Sequence, residues 1–133
     1  MIRVIVESPF APRDGRSVDD HIDYARRCVR DCVLRGEAPI ASHLLFTQPG
    51  ILKDEIPDER ALGIEAGLAW APVADCSVFY TDCGWSSGML SALHRTLHGG
   101  RPFRLRALDG RVKTPTVLCE DTEAAIKESI DAP

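Results

Sequence analysis

Val4, Ile5 and Val6 sit at the centre of a run from Ile2 to Glu7 that scarcely alternates between apolar and polar. That is the pattern of a strand buried on both faces. Ser8 to Arg16 holds two prolines and a glycine and is predicted to be a loop. Ser17 then has the chemistry of an N-cap, with Asp20 where a capping-box acid belongs. Val18, Ile22, Ala25, Val29, Cys32 and Val33 recur at helical spacing, while Asp19, Asp23, Arg26, Arg27 and Arg30 fill the other side. Gly36 stops this helix. A short second strand is expected around Pro39 to Ser42, followed by an irregular functional loop from His43 to Ile56. Pro57, Asp58 and Glu59 suit the first turn of a second helix, which runs toward Asp75.

The stretch from Val78 to Leu90 organises the rest. Cys76 to Tyr80 reads as a buried strand, Thr81 to Gly88 as a tight polar turn, and Met89, Leu90, Leu93 and Leu97 as the apolar side of a helix ending at Gly99-Gly100. Phe103 to Leu108 is a fourth strand. Asp109-Gly110 signals a hairpin to a partner around Arg111 to Thr116, with Val117 to Cys119 either ending that partner or forming one more short strand. Asp121 or Thr122 caps a last helix, Glu123 to Ile130. Alternating strands and helices predict one domain over residues 1–133. Its class is α/β: a Rossmann/flavodoxin-like three-layer sandwich with a mostly parallel sheet and a C-terminal hairpin plus helix.

Ligands of such sheets sit beyond the carboxyl ends of the strands, where strand order reverses. That rule draws three loops together: Ser8 to Arg16, His43 to Gln48 and Asp82 to Met89. At the start of the helix after the central loop, Ser86, Ser87 and Gly88 offer hydroxyl and backbone donors to a phosphate or carboxylate. Ser8 is a second hydroxyl donor. Phe10 and Trp85 are rings on which a base can stack, and His43, Asp82, Gly84 and Met89 complete the expected ligand-binding set.

Composition narrows the partners. An apolar content of 44% and a charged content of 27% fit a globular domain, and a net charge of −4 argues against a general nucleic-acid binder. No run is long enough for a membrane span and the N-terminus lacks a signal-peptide pattern, so a cytoplasmic protein is expected. Five cysteines, an odd number, fit reduced thiols better than a disulfide frame. His94 and His98 have no third partner at a zinc-like spacing, so neither a metal nor a cofactor is expected.

Several pieces carry a resemblance in their order and spacing. They are Ser8-Pro9-Phe10, Tyr24-Ala25-Arg26, Gly36-Glu37-Ala38-Pro39, the run Ser42 to Gln48, Gly63 to Trp70, Ala74-Asp75-Cys76 and Gly84-Trp85-Ser86-Ser87-Gly88-Met89. Over roughly residues 2–106 the chain resembles the nucleoside 2-deoxyribosyltransferase-like superfamily, in particular its small phage-associated domains of unknown function. The resemblance implies a pocket for a nucleoside or nucleoside monophosphate, a homo-oligomer, and the cytoplasm of the host if the protein is phage-encoded. It also implies a glutamate that attacks the anomeric carbon and an aspartate before a Leu-Ala-Trp triplet, but here those positions hold Ala92 and Gly67. Two readings follow. The chain binds or sequesters a nucleoside monophosphate or nucleotide-derived signal without the standard carboxylates, or it is an active N-glycosidase or deoxyribosyltransferase using a relocated one. Asp82 and Glu65 are the candidates for that role, with Glu7 at the end of the first strand a third. A structural domain with a vestigial pocket is the remaining possibility.

Overall fold

The computed structural model describes residues 1–116 and 119–131. Its strands are β1 (Arg3–Glu7), β2 (Ala38–Ile40), β3 (Cys76–Tyr80) and β4 (Phe103–Arg106). Its helices are α1 (Val18–Leu34), α2 (Ser42–Leu45), α3 (Pro57–Leu68), α4 (Ser87–His98) and α5 (Glu120–Glu128), with a short 3-10 turn at Ala71–Val73. The four strands form one parallel sheet in the order β2-β1-β3-β4. Strand order therefore reverses between β1 and β3, where Val4 pairs with Cys76 and Glu7 with Phe79.

Alternation along the strands sorts side chains onto two faces. Val4, Val6, Val78 and Tyr80 pack against Tyr24, Cys28 and Cys32 of α1. Phe79, Phe103 and Leu105 pack on the opposite face against Met89, Ala92 and Leu93 of α4 and Ile126 of α5. These are the three layers the pattern predicts. The buried stripe of α1, however, is His21, Tyr24, Ala25, Cys28 and Cys32, turned from the expected one, and Val33 is exposed. Tyr24 sets that rotation: its hydroxyl reaches across to donate to Asp82 Oδ1 at 2.5 Å. The capping box of Ser17 and Asp20 forms as expected.

Two segments differ from their expectations. The loop expected over His43–Ile56 begins inside a helical turn, α2, and the rest is turns. Residues 111–116 form no strand, so the hairpin partner is absent although the turn at Gly110 forms, with Gly110 N donating to Ala107 O at 3.1 Å. The backbone of that segment is claimed elsewhere: Lys113 N donates to Thr81 Oγ1 at 2.9 Å and Lys113 O accepts from Trp85 Nε1 at 2.8 Å. The further strand expected around Val117 to Cys119 lies largely outside the described residues.

The chain returns after α5 to the open side of β4. Leu105 N donates to Ser129 O at 2.8 Å and Asp131 N to Leu105 O at 3.0 Å. Buried Arg106 grips this return. It donates two bonds of 2.7 and 2.6 Å to Glu37 and one of 2.5 Å to Asp131. Such a bidentate, charge-assisted pair carries geometric specificity as well as energy.

Candidate active site

Ile5 and Glu7 of β1 and Ser77 of β3 point to the face that α4 covers, but they lie to one side of that helix. No residue of α3, on the far side, is buried. The sheet is left open between α3 and α4, and a cleft of about 690 Å³ runs along it. This lies within the range of small-molecule sites, roughly 300–1,000 Å³.

At the mouth, Ser8 and Phe10 come from the loop after β1, His43 from α2, and Ser86, Ser87, Gly88 and Met89 from the start of α4. Ser86 is the N-cap, its hydroxyl accepting from Met89 N at 3.2 Å. The amides of Ser87 and Gly88, in the first turn, have no acceptor within the helix, and both residues line this end of the cleft. Ser8 Oγ lies 2.7 Å from His43 Nε2, and Phe10 meets the same imidazole edge-on at 6.4 Å. Burial pushes His43 down to about 4. The ring is therefore neutral at physiological pH, and one member of the pair donates to the other.

Glu7 stands on the floor. Burial pushes its carboxyl up to about 7, against the opposing pull of the Arg95 and Arg101 charges. Ala92, 6% exposed, lines the wall. Gly67 lines the other side, and the space there is restricted. A Cβ at Gly67 would lie 2.6 Å from Ser42 Oγ and 3.0 Å from Ser42 Cβ, so this position has no room for a carboxylate without movement of α2.

Three of the expected ligand-binding residues lie away from the cleft lining. Asp82 accepts from Tyr24 at 2.5 Å, from Leu108 N at 2.9 Å and from Asp109 N at 3.0 Å. Burial works to raise its carboxyl, but these bonds prevail and hold it below the usual range. Gly84 closes the turn with φ 78°, its N–H donating to Thr81 O at 2.9 Å. Trp85 stacks on Phe79 at 5.4 Å. Glu65 is exposed on α3, also off the lining.

Pattern reading gave no role to Arg95 and Thr96, which line the end of the cleft away from the start of α4 beside Arg101, one of a group of basic residues (Arg101, Arg104, Arg106) able to hold an anionic small molecule. One signal for them was present, since Arg95 follows Ala92 by three residues on a helix and so shares its face. Among the described residues no three or more His, Cys, Asp or Glu side chains converge as a metal site would require. No described helix is long and apolar enough to cross a membrane.

The fold is that of the deoxyribosyltransferases. A 2-deoxyribosyltransferase from Bacillus psychrosaccharolyticus matches 93% of this chain and 82% of its own with a TM-score of 0.59, at 16% sequence identity. The chain belongs to the family described as Domain of unknown function (DUF7768), which matches residues 2–106. No curated protein sequence matches it.

Proposed function

We propose that this chain binds a nucleoside monophosphate or a closely related nucleotide in the cleft and does so without the superfamily's usual carboxylates. The observation that carries the reading is the pairing of an intact cleft with Ala92 and Gly67 on its walls. The free amides at the start of α4 suit an anionic group, Phe10 and His43 supply faces for a base, and Ser8 supplies a hydroxyl. By analogy of fold, the setting is the cytoplasm of a phage-infected host, where tight binding would withdraw a nucleotide signal. The protein works as a homo-oligomer in which the apolar side of α3 is covered by a second copy.

A ligand that binds only the folded state raises Tm by mass action. In a thermal-shift screen of nucleosides and nucleoside monophosphates, with chromatography of each mixture afterwards, a monophosphate raises Tm and is recovered intact. The absence of any shift would overturn the reading.

Glu7 favours a second reading, an N-glycosidase or deoxyribosyltransferase with a relocated carboxylate. Its carboxyl is in the cleft, whereas those of Asp82 and Glu65 lie off the lining. In that chemistry a Glu7 oxygen bonds to the anomeric carbon as the C–N bond breaks, and its electron pair leaves with the base. Water or a second base then displaces Glu7. Free base in the chromatogram, reduced at least about a hundredfold by Glu7→Gln, would establish this reading in place of the first.

A further inference from the structure

Three arginines line the cleft, Arg60, Arg95 and Arg101, and none has a carboxylate partner among the described residues. Exposed Arg95, on the third turn of α4, and half-buried Arg101, just before β4, line the end of the cleft away from the start of α4, beside Ser77 and Thr96. Neither has an ion pair within 4.0 Å among the described residues. Arg101 is fixed in place, with Nη1 donating to Ser77 Oγ at 3.0 Å. Its Nη2 is buried with no acceptor among the described residues. A buried guanidinium N–H without a partner is costly and rare, and here it belongs to a side chain that borders open space.

Glu7 is the acid on which both charges act, yet it stands beyond ion-pair distance of either. Seven residues separate Gly88 from Arg95, which at about 1.5 Å per residue puts this end roughly 10 Å along α4 from the free amides at its start. The two donor groups are therefore separate, with room for a sugar or a base between them.

Resting on the nucleotide reading above, we propose that Arg95 and Arg101 form a phosphoryl-binding subsite at the end of the cleft away from the start of α4. Two guanidiniums balance the two charges of a phosphoryl group, and the planar fork of Arg101 presents its idle N–H to an oxyanion. A nucleotide then lies along α4 with its phosphate at the two arginines, which leaves the free amides at the helix start to bond a sugar hydroxyl or a base carbonyl. The phosphoryl group is either the nucleotide's own or a separate inorganic phosphate, and the titrations distinguish the two.

The test is titration calorimetry with inorganic phosphate, with a nucleoside and with its 5′-monophosphate. The proteins are the parent, Arg95→Met, Arg101→Met, Glu7→Gln and, as a charge-matched control on the exposed side of α1, Arg26→Met. Arg95→Met keeps the test valid should loss of the Ser77 bond unfold Arg101→Met, because the Arg95 side chain makes no hydrogen bond or ion pair among the described residues. Each arginine variant weakens monophosphate binding about tenfold and leaves the bare nucleoside unchanged. Glu7→Gln tightens monophosphate binding by removing a competing charge, and Arg26→Met changes nothing. The same dependence with inorganic phosphate added to the nucleoside, but not with the monophosphate, assigns the subsite to free phosphate. A monophosphate that binds equally well to the parent and both arginine variants, with inorganic phosphate binding also independent of the two arginines, overturns the subsite and leaves the nucleotide reading standing. Arginine-dependent binding of inorganic phosphate with no nucleotide binding keeps the subsite and overturns the nucleotide reading.

Discussion

Glu7 and His43 occupy the same cleft, and burial moves them in opposite directions on the pH scale. Glu7 rises from 4.5 to about 7. Between those values the unfolded chain has released the proton that the folded chain keeps, so stability falls as pH rises. His43 falls from 6.5 to about 4. In that window the unfolded chain holds the extra proton, so stability rises with pH. From about pH 4.5 to 6.5 the two slopes oppose each other and nearly cancel in the parent. Each variant should uncover the other residue's slope. In urea unfolding, Glu7→Gln should gain stability from pH 4.5 to 6.5, and His43→Asn should lose it. Each slope is at most about 1.4 kcal/mol per pH unit and smaller to the extent that water enters the cleft. Equal, flat profiles for the two variants would show that neither group is shifted. Neither effect is legible in the sequence, where Glu7 is a strand-end charge and His43 a loop residue. Their burial depends on loops brought together from distant parts of the chain. Asp82 illustrates the same limit, because Tyr24, which fixes it, is 58 residues away.

Among the elements, β1, α1, β3 and α4 were legible because each carries a periodic core face and a clear boundary signal. Cys76–Tyr80 is the strand the pattern marks, and Ser17 caps α1 as its chemistry predicts. α2 was not legible, since four residues are too few to show a period. The strand expected over 111–116 failed for a different reason: Trp85 and Thr81 take the hydrogen bonds that a hairpin needs. α3 carries a contrast that sequence alone does not supply. Ordinarily Gly→Ala inside a helix gains up to about 1 kcal/mol. At Gly63 the added methyl meets the flexible end of Leu52 at 3.3 Å, whereas at Gly67 it meets Ser42 at 2.6 Å. Gly63→Ala should be neutral or stabilising. Gly67→Ala should cost about 1–2 kcal/mol, partly recovered by Ser42→Ala. Thermal unfolding of the three variants checks the order, and a stabilised Gly67→Ala would show that α2 gives way freely.

At the scale of the molecule, α3 and the turn after it expose Leu62 at 57%, Trp70 at 45% and Val73 at 55%. A helix that is apolar on several sides is normally covered, and a contiguous apolar patch marks an interaction surface. Light scattering at micromolar concentration should give a mass above 14.6 kDa, and Leu62→Glu should shift it toward the monomer. A monomeric parent would remove the case for an oligomer.

The return of Ser129 to Asp131 along β4 has another consequence, for solubility. A sheet offers its unpaired edges to any passing strand. One edge here is β2, three residues long with Pro39 at its centre, which has no N–H to donate. The other is shut at Leu105, whose amide and carbonyl are both engaged by the returning chain and locked there by Arg106. A chain ending at Glu128 would leave Leu105 as a template and Arg106 without Asp131. Such a truncation should form thioflavin-positive aggregates under conditions where the parent stays clear, because a three-residue seam is what keeps this sheet from growing.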